Sequence, residues 1–544
     1  MSKRWIVLAP TVALAIALAA PSSGAASNSR VTLDNDGTSS YTRYDGSSDA
    51  ATLRCSHDKR SQNEPAVAVD PNDTDVIAAG SNDYCAAPIT GDVWAGYYRS
   101  TDGGNAWHDS LVPGYPGDTS AAALAAPQSG SCGAAGDPTQ MFDNDGRLFY
   151  GFICFNRGKP VNGGLYVARY LNDGSTYDRT VLIKKGTPSA LFAASGHFQD
   201  KDNLAVDQGP SSPFEDNVYI GWSQYNGQSG NNNVLVSRST NHGVSFQAPV
   251  KVTPTEQGTA SFVDLAVGPT GTLYITWLRY TSSFTGAVLL SRSTDGGQTF
   301  TRARQIAAID LFDSNQYSGD AGTYDCGDAP FDCSTGFTFS RFFSNSAVEA
   351  DATGVHVVWA SDDAAGQSRV YVRNSSNGTT FGPAIAIDPQ PAGHQWFPDI
   401  SSADGTINVI YYDSRDDPAY SPDNPPGNTS AGTNSGDVVN SFLAKSSNGG
   451  SSWSSTQLSN HGSNFGWETH GSRLIGFWGD YLYVSAVPGA VFATWTDSRD
   501  LVPGTDPRDP TATDGFDVLQ CNASTLDACQ EGGGLDQNIY GSSA

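Results

Sequence analysis

Basic residues are scarce in this chain. Its 544 residues hold 30 Lys and Arg against 56 Asp and Glu, a formal charge of −26. So acidic a surface repels nucleic acid and anionic membranes, which excludes both as partners. An anionic sugar is also repelled at long range and would need a local arginine cluster. Long apolar runs are missing beyond the first twenty residues, so no later segment is built to cross a bilayer. No CxxC pair and no HExxH occur, which removes the usual zinc ligand spacings. No EF-hand spacing occurs either, although the acidic stretch DSRDDPAYSPDN (413–424) has the oxygen ligands for a structural calcium.

What is present begins with a leader. Lys3 and Arg4 precede the apolar run Trp5 to Ala20, and Gly24-Ala25-Ala26 follows. We expect a signal peptide over 1–26, cut near Ala26, and a secreted, extracellular product. Eight cysteines in an exported chain favour disulfides. Sequence proximity pairs Cys55–Cys85, Cys132–Cys154, Cys326–Cys333 and Cys521–Cys529.

A short motif then repeats. RSTDGGNAW ends at Trp107, YLNDGSTY at Tyr177, RSTNHGVSF at Phe246, RSTDGGQTF at Phe300, RNSSNGTTF at Phe381 and KSSNGGSSW at Trp453. The pattern is Ser-x-Asp-x-Gly-x-x-aromatic. Its acid position holds Asp102, Asn172, Asn241, Asp295, Ser376 and Asn448. Its Ser position is degenerate at Tyr170 and Asn374. A short acid or amide accepts backbone N–H bonds across its own turn, glycine takes the left-handed backbone, and the ring fills an apolar gap. The motif reads as a self-locking hairpin, a structural device rather than a catalytic one. Before each turn run period-two strands such as YIGW (219–222), YITW (274–277) and FATW (492–495).

The unit is a four-stranded antiparallel sheet, and its repetition indicates an all-β propeller. We count seven blades, with six as the alternative, starting near Glu64, Asp137, Asp202, Ser261, Asn345, Trp396 and Trp478 over residues 61–530. The seventh lacks the locking turn and runs through TWTDSRD to 517–522. Residues 27–60 are expected to close the ring, and 531–544 to form a tail.

These turns resemble the Asp-boxes (BNR repeats) of the sialidase, or neuraminidase, superfamily. The resemblance implies an active site on the face carrying blade starts and second-strand exits. The long insertions 108–136, 308–340, 416–438 and 500–516 fall on that face too. It also implies an arginine triad, a Tyr–Glu nucleophile pair and an Asp acid/base, in a glycosidase working through an oxocarbenium-like state. On this basis the catalytic candidates are Asp137, Asp202, Asp399, Glu468 and Tyr412. The substrate-binding candidates are Glu64, Arg341, Arg415, Arg499 and Asp480. Trp396, Trp467 and Trp478 are candidate stacking rings. The family's Arg-Ile-Pro motif is missing here; Arg54 and Arg60 stand nearest to its place. The echoing DSRD segments at 413–416 and 497–500 also fit internal ion pairs that fasten loops. The expected function is a glycan hydrolase, monomeric, with no resident cofactor. The alternatives are a non-catalytic glycan- or protein-binding propeller and a polysaccharide lyase on the same fold.

Overall fold

The computed structural model describes residues 27–34, 36, 39–156, 163–187, 196–226, 232–252, 259–281, 285–310, 345–418, 420–422, 426, 438–463, 478–500 and 536–544. They form seven four-stranded antiparallel sheets. The inner strands are Gln62–Val69, Ala134–Phe142, Phe198–Val206, Thr259–Val267, Ser346–Asp351, Gln395–Ala403 and Tyr483–Val487, numbered here as blades 1 to 7. Each packs against the inner strand of the next blade, and the seventh against the first, so the sheets close into a ring. This is the expected seven-bladed propeller. No helix among the described residues is long and apolar enough to cross a membrane.

Side chains latch one inner strand to the next. Thr139 Oγ1 accepts from Leu204 N at 3.1 Å, Asp264 from Val348 N at 2.5 Å, Asp399 from Val484 N at 2.8 Å, and Ser485 Oγ from Val69 N at 3.1 Å. Between the blades lie fully buried rings, among them Trp222, Trp277 and Trp495 of the second strands. Cys55–Cys85 and Cys132–Cys154 are disulfides. The two other expected pairs lie outside the described residues.

The repeated turn behaves as its chemistry demands. Ser100 Oγ donates to Asp102 Oδ1 at 2.8 Å and accepts from Gly104 N at 3.0 Å. Asp102 Oδ1 also accepts from Asn105 N and Ala106 N. Trp107 and Tyr177 are buried, while the four later rings are half-buried. Blade 5 departs from the sequence alignment. Ser375 and Asn377, each one residue later than the aligned Asn374 and Ser376, make the turn bonds. Asn374 has no hydroxyl; it donates instead to Gly450 O in the turn of blade 6.

The turn glycine also joins blades. Gly104 sits at φ +87°, and a Cβ there would lie 2.3 Å from the Phe492 ring of blade 7. Gly104→Ala combines left-handed strain with overpacking, and is expected to destabilise by about 2–4 kcal/mol in urea unfolding.

Blade 7 corrects the sequence reading. Its third strand is Asn538–Ser543, within the stretch expected to be a tail, and its fourth is Ser29–Arg30. Residues 517–522 lie outside the described residues. The C-terminal strand carries only Ile539 and Tyr540 as large apolar residues, too little periodicity to read as a strand.

Candidate functional site at the axial neck

Five inner strands carry a bulge near their start. The register shifts fall at Asn63/Ala66, Gly136/Thr139, Asp200/Asn203, Ser261/Asp264 and Trp396/Asp399. Within each bulge one non-glycine residue has positive φ: Glu64 at 55°, Asp137 at 53°, Lys201 at 53°, Phe262 at 53° and Phe397 at 51°. Left-handed backbone costs an L-residue about 1–2 kcal/mol. Such strain, repeated at one level of a ring, turns these side chains toward a shared space. The equivalent positions in blades 5 and 7 are Asn345 and Tyr481. Each stands three residues before an amide that takes an inter-blade latch, as Lys201 does.

The polar members converge. Lys201 Nζ lies 2.6 Å from Asp480 Oδ2 and 3.3 Å from Asp137 Oδ2, and 5.6 Å from the centre of the Phe262 ring. Asn82 Nδ2 donates to Glu64 Oε2 at 2.7 Å, and Asn82 Oδ1 accepts from Asp137 N at 2.8 Å. Asn345 Nδ2 donates to Asp480 O at 2.6 Å. Gly479 permits this closeness: a Cβ there would fall 2.2 Å from Glu64 Cγ. Tyr225, Tyr280, Tyr481 and Tyr483 add hydroxyls, with Tyr225 OH 2.7 Å from Ser261 Oγ and Tyr483 OH accepting from Asn203 Nδ2 at 2.9 Å. Lys201, Asp202, Asn345, Tyr481 and Phe262 border a cavity of about 50 Å³. Below it, the axis opens into a larger cavity of about 460 Å³, bordered by residues such as Val67, Met141 and Val484.

Electrostatics separate the carboxyls. Burial pulls the Lys201 ammonium down, but Asp137, Asp480, Glu64 and Asp200 together hold it well above its ordinary value. Burial pushes Asp200 up to about 7; the charge of Asp137 and a hydrogen bond to it add to this, and Lys201 opposes it. Burial and its neighbour Asp137 thus favour a proton on Asp200. Burial, then the charge of Asp137, pushes Asp202 well above the usual range. Burial likewise raises the Tyr481 phenol.

The candidate residues separate into two groups. Glu64, Asp137 and Asp480 meet at the neck, while the Asp202 carboxyl is buried against Gly151 between blades 2 and 3. Asp399 does not act there as a free carboxylate; it is the latch to blade 7, and burial pushes it up to about 7. Tyr412 is 1 % exposed, and its hydroxyl is bonded to Thr496 N and O. It packs with Trp396 and Trp478, so all three rings join blades rather than face a sugar. Arg415 and Arg499 are not neck residues. Each grips the aspartate two positions before it, Asp413 or Asp497, at 2.6 Å. Each also lies over a ring of the third strand, Phe442 at 3.7 Å and Tyr540 at 4.0 Å. Arg341 and Glu468 lie outside the described residues, as do Trp467 and most of the long insertions. Sequence reasoning missed Asp200 and Tyr481, whose only signal is a place at or beside the bulge.

At 413–424, where a structural calcium is the alternative to an internal ion pair, Asp413 is already bonded to Arg415 and Gln395. Among the described residues, Asp143, Asp216 and His242 form the one group with metal-compatible spacing, and Arg147 bonds both Asp143 and His242 there.

No family model matches the chain, and no curated protein does. Solved structures similar to it include a protein of unknown function from Dyadobacter fermentans, at 14 % identity and TM-score 0.40, over 65 % of this chain and 91 % of that one. The Hadza microbial sialidase Hz136 is similar at 12 % identity and TM-score 0.42, over 77 % and 70 %. The alpha-L-arabinanase of Penicillium chrysogenum, complexed with arabinobiose, is similar at 13 % identity and TM-score 0.43, over 74 % and 98 %.

Proposed function

We propose that this chain is an exported glycoside hydrolase acting at the axial neck, with residues 1–26 as its leader and the six turns as Asp-boxes. Asp200, a carboxyl raised to about 7 beside Asp137 and Lys201, carries the reading. Glycoside cleavage needs a proton for the leaving oxygen and negative charge against the oxocarbenium-like state. Asp200 supplies the proton, and Asp137, 3.3 Å from Lys201, stands beside it. Glu64 supplies further negative charge. A lyase needs a deprotonated tyrosine or histidine base, and burial makes Tyr481 a poorer base at neutral pH.

The test uses residues 27–544 and a panel of fluorogenic glycosides, a sialoside among them. Asp137→Asn and Asp200→Asn are each expected to lower kcat about 100-fold or more. Activity should fall as pH rises through about 7, where Asp200 loses its proton. Unchanged turnover in both variants sinks the assignment. Binding of glycans without any turnover replaces hydrolysis by recognition.

A further inference from the structure

We propose that the clasp closing the ring is a pH-sensitive fastening, tight near neutrality and released as the solution turns alkaline. The clasp is the N-terminal segment laid over blade 1 and paired with strand Asn538–Ser543. The inference stands apart from any reaction at the neck.

The segment covers a set of carboxyls. It runs beside His108–Leu111, the outer strand of blade 1. Tyr41 bridges Asp109, Thr42 N donates to Asp109 O at 3.0 Å, and Leu33 N donates to Asp109 Oδ2 at 2.6 Å. Asp34 and Asp109 are 0 % exposed beneath this cover, and Asp83 is 1 % exposed. Asp83 accepts from Tyr41 OH at 2.8 Å, Tyr98 OH at 2.7 Å, Cys85 N at 2.8 Å and Gln62 Nε2 at 3.3 Å. Asp34 accepts from Arg60 N at 2.9 Å and Gln62 Nε2 at 3.2 Å, and pairs with Arg30. Asp109 Oδ1 and Gln62 Oε1 have no donor among the described residues. A buried set so short of donors favours carboxyls that carry their own proton.

The charges around it are already engaged. Arg30 is bonded to Asn538, 3.5 Å from Asp536 and 4.0 Å from Asp500. Lys59 holds Asp536 at 2.7 Å. Arg60 stands 3.6 Å from Asp58, which Arg54 also pairs. His108 lies with its Nε2 2.9 Å from Thr42 Oγ1, and Arg99 faces it from the adjacent strand. Burial raises Asp83, pushes Asp34 up to about 8 against Arg30, and lifts Asp109 well above the carboxylate range. At Asp109 the bond from Leu33 N opposes the rise, while the charges of Asp83 and Asp34 add to it.

Peeling the segment away returns Asp34 and Asp109 to water, where a carboxyl ionises near pH 4. The closed form therefore binds more protons than the open one. Its stability is lost as pH climbs through the raised folded values. Burial lowers His108, which penalises closure only below its ordinary value of about 6.5. Tyr41 and Tyr98 are raised further above their ordinary range and stay protonated to pH 9. The interval from pH 6.5 to 9 thus reads the carboxyls alone.

Hydrogen exchange of the full-length protein tests this. Rates are corrected for the intrinsic effect of pH. Strand Asn538–Ser543 is compared with Asn440–Ser446, the third strand of blade 6 and its counterpart in position. From pH 6.5 to 9 the first should accelerate at least about tenfold more than the second. Asp109→Asn keeps an acceptor for Leu33 N and removes the charge. Its gain in protection at 538–543 over wild type should grow at least about tenfold across the same interval. Equal acceleration of both strands, or none, overturns the inference. So does a gain in the variant that is the same at pH 6.5 and 9. If Asp109→Asn does not fold, the wild-type comparison of the two strands decides alone.

Discussion

Lys201→Met should destabilise the protein by about 3–5 kcal/mol at pH 8 and abolish any reaction at the neck. Methionine nearly preserves the length of the side chain and removes only its charge. Asp480, 0 % exposed, then loses an ammonium at 2.6 Å, and Asp137 loses one at 3.3 Å. Asp200 and Asp202, already raised by burial, also lose the cation that lowers them, so their folded-state pKa values rise further. A raised carboxyl pKa contributes stability at low pH that is lost as pH climbs through it. The variant should therefore come closest to wild type near pH 4 and fall furthest behind above pH 7. Urea unfolding at pH 4, 6 and 8 measures this. A loss below about 1 kcal/mol at pH 8 would show that the ion pairs are incidental to the neck.

Deleting residues 538–544 should cost the entire fold. Strand Asn538–Ser543 lies between Ala490–Asp497 and Ser29–Arg30, so its removal leaves blade 7 as a two-stranded hairpin, marginal in water. The same strand anchors the chain's other end. Val31 N donates to Ile539 O at 2.8 Å, and Arg30 Nη2 to Asn538 Oδ1 at 2.8 Å. Beside it, Lys59 holds Asp536 at 2.7 Å, and Gln62 N donates to Gln537 O at 2.7 Å. The loss opens the ring between blades 6 and 1, which is comparable to a whole domain stability of about 5–15 kcal/mol. Soluble yield and near-ultraviolet circular dichroism report the outcome. A truncated protein that unfolds at the wild-type urea midpoint would refute the clasp. Removing Ala544 alone should change little.

The propeller was legible because its signals are local. A serine, an acid or amide, a glycine and a ring sit within nine residues, and each does its work inside that span. The one slip, at Asn374 and Ser376, came from aligning on the glycine and ring while the hydrogen bonds follow Ser375 and Asn377. Blade 7 was illegible where its signal is not local. Ser29–Arg30 and Asn538–Ser543 are strands only because each finds the other. The site was half legible for a related reason. Blade starts placed Glu64, Asp137, Asp202 and Asp480 on one level, since topology puts every inner strand's beginning there. Period-two reading then fails at a bulge, where an extra residue reverses the side-chain alternation. That is why Asp200 was passed over, and why Asp399, two residues past the positive-φ Phe397, reaches a neighbouring strand instead of the axis. The arginines misled by repetition: Arg415 and Arg499 recur because the same loop is fastened twice, not because one ligand is held by both.

The clasp has a consequence for how the molecule comes into being. Arg30 and Asn538 are bonded across 508 positions, while every other blade is built from one continuous stretch. Six sheets have all their own strands as soon as their stretch of chain exists, but the circle waits for a contact between remote ends. Closing so long a span costs little more entropy than a moderate one, because the penalty grows only with the logarithm of length. Its cost is time, since distant pairings form slowly. The axial hollow, and whatever reaction it hosts, therefore arises as a single late event, and prising out one six-residue strand is the shortest route to dismantling it.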